Sequence, residues 1–295
     1  MYSEIASNKR KTVLLIAAFT VVIVALGFAF GELSGDAGAG IFLAVVVAAA
    51  MNLVGYYKGD AVALASSGAR RIEKRDAPEL WNLVENLTIS TGLPMPKLYV
   101  INDPALNAFA TGRDPKHASV AITTGLAERL TKPELEGVIA HELSHVKNYD
   151  IRVMTIVVVL VGVVMLLSDW LLRGSLFRRG NRDNDQAGII LLVIGIALAI
   201  LSPLLAELIK LAVSRQREYL ADASGALMTR HPDGLASALE KIASEDRPLR
   251  QANHATAHLF LANPFDPRVT KKFERLFSTH PPIDERIKRL REMGV

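Results

Sequence analysis

His141-Glu142-Leu143-Ser144-His145 places two imidazoles four residues apart with a carboxylate between them. A helix turns about 100° per residue, so positions i and i+4 project from one face, one turn apart. Two neutral imidazoles so placed can bind one Zn²⁺ at roughly 2.0–2.1 Å each. Glu142 is rotated toward the open side of such a cation, where it can take a proton from water. Val138, Ile139 and Val146 make the flanks apolar, and three titratable groups there are costly unless something pairs them. Thr131-Lys132-Pro133-Glu134 reads as a capping box with an early proline. It predicts a helix from this point through about Asp150.

A catalytic zinc needs a third protein ligand and keeps its fourth position for water. The chain has no cysteine, so His and carboxylates must supply the set. Arg217-Glu218-Tyr219-Leu220-Ala221-Asp222 offers two acids at helical i, i+4 spacing. Glu218 is the candidate ligand, and Asp222 can accept the outer N–H of a ligating histidine and fix its tautomer. The competing reading is a solvated acidic face beside Arg215 and Arg217. His254 and His258 share the i, i+4 spacing but have no acid between them and read as ordinary helix or loop residues.

These boxes, in this order, resemble the HtpX family: the histidine pair, the Arg-Glu-x-x-Ala-Asp segment and Ser278-Thr279-His280-Pro281-Pro282, set among four apolar runs. The likeness covers essentially the whole chain. That family comprises membrane-bound zinc metalloproteases related to the CAAX prenyl proteases. The resemblance implies that His141, His145 and Glu218 ligate one Zn²⁺ per chain, with Glu142 as general base and Asp222 holding a ligand. It implies that Asn107, in Asn107-Ala108-Phe109-Ala110, lies on the strand lining the substrate cleft. It further implies that His280 and Arg286 lie near the substrate carbonyl, where they can donate hydrogen bonds to its oxyanion. Read without the resemblance, His280 and Arg286 belong to a proline-initiated helix with a charged face.

The elements that must position these residues can be read along the chain. Half of the 295 residues are hydrophobic, concentrated in runs. Residues 12–30 and 37–57 form two apolar segments, the first preceded by Lys9, Arg10 and Lys11. The charge rule puts the N-terminus in the cytoplasm, the short turn outside and the chain after Lys58 inside again. Residues 66–150 read as α+β: helical periodicity over 77–90, and strand-like runs at 97–101, 107–111 and 119–124. An exposed edge strand there would pair with an extended polypeptide through main-chain bonds. Residues 151–172 and 187–209 are two further apolar runs, spanning as a hairpin or lying partly buried. Residues 210–295 complete the zinc site from the cytoplasmic side. With His145 six residues before Ile151, about 9 Å along a continuous helix, the metal is expected near the membrane–cytoplasm boundary.

The expected fold is a mainly α integral membrane protein with a small α+β zincin-like catalytic part. The expected activity is a zinc endopeptidase acting on polypeptides, above all membrane proteins. By resemblance it sits in a bacterial inner membrane and removes damaged membrane proteins. The net charge of +4 gathers beside apolar runs and in the C-terminal helix, a pattern of membrane flanks rather than of nucleic-acid binding. A transporter is disfavoured because the runs lack repeated intramembrane charges. A non-catalytic membrane scaffold with a structural zinc is the alternative, and it needs a fourth protein ligand.

Overall fold

A computed structural model describes residues 2–162, 164, 215–244, 248–250, 256, 259–261 and 281–293. His254, His258, His280, the fourth apolar run and the loop before it lie outside the described residues. The chain opens with a helical hairpin, α1 (Tyr2–Ser34) and α2 (Ala37–Ser66). Both helices are long and apolar enough to cross a membrane, and large side chains such as Val13, Leu14, Phe42 and Leu43 stand exposed on their outer faces. α1 extends past its apolar run at both ends, and α2 past the C-terminal end of its own. Small residues let them touch: a Cβ on Gly27 would meet the Ala44 side chain at 2.2 Å, and one on Gly40 the Gly27 carbonyl at 2.3 Å. Close backbone approach of this kind is how helices associate in an apolar solvent.

A four-stranded sheet follows, in the order β1 (Ala69–Ile72), β2 (Lys97–Ile101), β4 (Ala118–Thr123), β3 (Ala108–Gly112). β2 and β4 run parallel, and the outer pairs are antiparallel. Strand β1, with two exposed arginines, lacks the alternating apolar pattern and was not expected; the other three fall within a residue or two of expectation. Alternation decides what each face covers. Ala108, Ala110, Val120 and Ile122 join a core with α3 (Pro78–Thr91) and α5 (Lys132–Lys147). Phe109 and Ala121 point the other way, onto the end of α2 and onto Met154 and Val158. The sheet is therefore buried on both faces, between the motif helix and the apolar helices. A short helix, α4 (Thr124–Arg129), links β4 to α5.

Helix α5 stops at Lys147 rather than continuing into the third apolar run. Asn148 caps it and Tyr149 has φ 61°, a left-handed conformation that costs a non-glycine residue about 1–3 kcal/mol. Helix α6 then begins at Asp150 and is described through residue 162. Val153, Val157 and Leu160 pack with Leu15, Phe19 and Ala48 of the hairpin. The two segments expected as one helix are thus two, with a sharp turn next to His145. Three more helices complete the described fold: α7 (Arg215–Thr229), α8 (Pro232–Ser244) and α9 (Ile283–Met293).

The start of α5 is fixed as its sequence predicts. The Glu134 carboxylate accepts from the Thr131 N–H at 2.7 Å and from Lys241 Nζ of α8 at 2.7 Å. Burial opposes its ionised form, yet Lys241 and Thr131 hold the carboxyl below its ordinary value. A depressed carboxyl value adds stability that is complete above the unfolded value and is lost as pH falls through the folded one. Glu134→Gln is expected to cost about 1 kcal/mol at neutral pH. Thermal melts at falling pH should show that deficit shrinking in acid.

Candidate active site

Helix α5 carries His141, Glu142 and His145 into the centre of the fold, none more than 5% exposed. The two Nε2 atoms face each other at 3.2 Å. Helix α7 crosses α5 closely: a Cβ on Gly225 would meet the His141 backbone nitrogen at 3.0 Å. A side chain there would push α7 away. This approach brings Glu218 Oε1 to 3.5 Å from His145 Nε2, and Oε2 to 3.8 Å from His141 Nε2. Glu218 is 1% exposed and Asp222 2%, which overturns the solvated-face reading of that pair.

Each imidazole is held from behind through its other nitrogen. His141 Nδ1 lies 2.9 Å from Asp222 Oδ1, and His145 Nδ1 lies 2.9 Å from Asp150 Oδ2. Each carboxylate is in turn paired with a buried arginine. Arg286 of α9 forks onto Asp222 through Nε and Nη2, at 2.9 and 2.7 Å, while Arg217 of α7 pairs with Asp150.

Arg286 has a carboxylate partner within the site itself. A planar guanidinium matches a carboxylate bidentately, and a fully buried cation needs such a partner. Its remaining Nη1 reaches the Leu261 carbonyl at 3.4 Å and Glu218 at 3.8 Å. That fork braces Asp222, while Nη1 stays beside Glu218 at the edge of the metal-binding group.

The edge strand is also different from the exposed strand expected. All five residues of β3 are buried. Asn107 and Thr123 form a hydrogen-bonded pair at its head, with Thr123 N donating to Asn107 O at 3.0 Å. Antiparallel alternation then turns the backbone groups of Ala108, Ala110 and Gly112 outward. Leu261 N donates to Ala108 O at 3.0 Å, and Gly112 N donates to Thr155 Oγ1 at 3.0 Å. The Ala110 N–H points at the Glu142 carboxylate. Asn107 is buried, and its side-chain oxygen accepts from Ala108 N at 3.1 Å, so here it closes the strand end.

The electrostatics follow from burial. Burial pushes the Glu142 carboxyl up to about 7, with Glu218 adding to the rise and His145 and the Ala110 N–H opposing it. Burial lowers His141. It works against a charged His145 too, but Asp150 and Glu218 prevail and raise that ring to about 9. Burial would raise Asp222, yet Arg286 and His141 bring it down to about 2.

His141, His145 and Glu218 form one group whose ligand atoms lie within 4.8 Å of one another. Tetrahedral Zn²⁺ with bonds of roughly 2.0–2.2 Å separates its ligand atoms by about 3.3–3.5 Å, close to the spacings found. Charge agrees with geometry. With both imidazoles neutral, as metal ligation requires, ionised Glu142, Asp150, Glu218 and Asp222 against Arg217 and Arg286 leave two negative charges, the complement of one divalent cation. The residues present fit a metal.

A model of the family described as Peptidase family M48 matches residues 74–294. The chain belongs to that family. It is 52% identical over 296 residues to a protease HtpX homolog of Tropheryma whipplei (strain Twist), across 100% of this chain and 99% of that one. A protease HtpX homolog of Caldanaerobacter subterraneus subsp. tengcongensis is 46% identical, over 100% and 98%. The crystal structure of S. mikatae Ste24p aligns with a TM-score of 0.49 at 18% identity, covering 98% of this chain and 67% of that one. The chain is a metalloprotease, and the resemblance read from its three motifs is to the right family.

Asp150 and Arg217 had no assigned role in the sequence reading. Asp150 lies five residues after His145, off the helical period, and reaches the ring only because the backbone turns at Tyr149.

Asp222→Ala strands Arg286 and is expected to destabilise the chain by about 3–5 kcal/mol. Adding Arg286→Met should recover much of that loss in thermal melts. Metal affinity, measured by chelator competition, should stay roughly 10–100-fold low in both variants, because His141 has lost its acceptor.

Proposed function

We propose that the chain is a membrane-integral zinc endopeptidase working at the cytoplasmic face, with His141, His145 and Glu218 holding the metal. The observation that carries this reading is the pair of Nε2 atoms 3.2 Å apart, with Glu218 beside them and the Glu142 carboxylate on the same helix. When bound, Zn²⁺ supplies Lewis acidity, which makes water a nucleophile at neutral pH.

The chain's own residues do the rest. The Glu142 carboxylate takes the proton from the attacking water and delivers it to the leaving amine. Its place on the same helix as both histidines puts it beside the water such a metal would hold. Asp222 and Asp150 orient the two rings and hold their Nδ1 protons, leaving both Nε2 atoms as electron donors. Arg286 and Arg217 keep those aspartates ionised in a place that water does not reach. The outward carbonyl of Ala110, next to Glu142, suits a single main-chain bond to an extended substrate. Asn107, at the head of the same strand, is a candidate neighbour of that substrate.

The substrate class follows from where the site stands. Asn8, next to the Lys9-Arg10-Lys11 flank of the first apolar helix, bonds Asp150 at 2.6 Å, and Asp150 bonds His145. A basic flank marks the cytoplasmic edge of a span, so this contact supports a metal centre at that edge. Polypeptides in or beside the membrane, misfolded membrane proteins among them, are the substrates this location favours. A structural zinc in a scaffold is less well supported, because the metal-binding group has three members among the described residues and a closed site takes four.

Glu142→Gln in the full chain is expected to bind Zn²⁺ in the same one-to-one ratio and to lose at least about 10²-fold in cleavage of an unfolded polypeptide. Cleavage at the wild-type rate would exclude Glu142 as the base.

A further inference from the structure

The N-terminal apolar helix reaches the metal site through one side chain. Asn8 of α1 is 1% exposed, at the end where the helix carries its basic flank. Its Nδ2 donates to the Asn148 carbonyl at 2.8 Å and to Asp150 Oδ1 at 2.6 Å. Both partners are acceptors, so the amide nitrogen is the atom that must face them, which fixes the orientation of the side chain. Asp150 Oδ2 in turn holds His145 Nδ1 at 2.9 Å. The chain of contacts from a membrane helix to an imidazole is two hydrogen bonds long.

The segment so gripped is the one that needs it. Residues 148–150 form the turn between α5 and α6, with Tyr149 in the left-handed region. A strained turn persists only where its surroundings over-determine it. Here Lys9 Nζ lies 5.3 Å from the centre of the Tyr149 ring, and the Arg152 guanidinium lies 5.0 Å from it. Two consecutive residues of α1 thus hold three consecutive residues of the turn. Arg217 neutralises Asp150 at Oδ1. Asn8 ties the same carboxylate oxygen to the backbone at Asn148, fixing the plane in which Oδ2 meets the ring.

We infer that Asn8 is a positioning residue of the metal centre: it locks Asp150 to the α5–α6 turn and thereby sets the His145 ring, which makes the first membrane helix part of the active site. This rests on the His141–His145–Glu218 metal site proposed above. It also gives α1 a task beyond anchoring, because separating α1 from the turn would loosen one ligand while leaving His141 and Glu218 in place.

The test uses the full chain in detergent, with Co²⁺ as a visible-light probe of ligand geometry. Asn8→Leu keeps the branching at Cγ and removes both donated bonds. Thr20→Val removes a different polar contact of the same helix, the 2.9 Å bond from Asn52 to Thr20 Oγ1, far from the site. Asn8→Leu is expected to weaken Co²⁺ binding about tenfold, the low end for groups that orient a metal ligand. It should also shift the ligand-field bands and lower kcat with little change in KM. Asn8→Gln, which keeps an amide donor, should recover part of each effect, and it carries the comparison should the leucine variant fail to fold. Thr20→Val should leave affinity and bands at wild-type values. Wild-type affinity and bands in Asn8→Leu would overturn the inference, as would equal losses in Thr20→Val. Failure of the wild-type chain to bind one Co²⁺ would instead overturn the metal site itself.

Discussion

Eight ionisable side chains meet in a space that water hardly enters, where α5, α6, α7 and α9 converge: His141, Glu142, His145, Asp150, Arg217, Glu218, Asp222 and Arg286. Burying a charge is costly unless a partner with good geometry accompanies it, so each of these groups constrains its neighbours. Asp222 and Asp150 can be buried only because Arg286 and Arg217 accompany them, and those arginines only because the aspartates do. What these pairs leave over is the negative charge of Glu142 and Glu218 beside two imidazole nitrogens aimed at each other. With both rings neutral, a divalent cation would satisfy the two facing nitrogens and the surplus charge together. The rest of the fold can be understood as the scaffold that keeps this arrangement from relaxing in the cation's absence.

That scaffold is built from close contacts and opposed layers. Gly225 lets α7 lie against α5 so that a carboxylate on one helix reaches imidazoles on the other. The sheet is pinned between α3 and α5 on one face and the apolar helices on the other, because its strands alternate their side chains between two cores. β3, at the sheet's edge, is met at Ala108 by Leu261 and at Gly112 by Thr155. The turn at Tyr149 redirects the chain from the catalytic helix into α6, and the same turn brings Asp150 under His145.

Much of the site was legible because it obeys helical periodicity. His141 and His145, and Glu218 and Asp222, are paired at i, i+4 on single helices, and Thr131 with Glu134 marks where the first of those helices begins. The alternating strands were legible for the same reason at a different period. What escaped the sequence depends on tertiary geometry that no local period encodes. Asp150 reaches His145 across a left-handed residue; Arg286 pairs with Asp222, 64 residues away; β3 is edge by topology yet met at Ala108 by Leu261, far along the chain. Nothing local singles out Asn8 ahead of its apolar run, because its partners lie 140 and 142 residues away.

The most direct test is the zinc K-edge absorption spectrum of the full chain loaded with one Zn²⁺, recorded beside that of Glu218→Ala. The account predicts a shell of nitrogen and oxygen atoms containing two imidazoles. In the variant both imidazoles should persist, one oxygen ligand should be exchanged or lost, and zinc should be held more weakly. A wild-type spectrum without two imidazoles, or a Glu218→Ala chain that matches wild type in both spectrum and affinity, would contradict it.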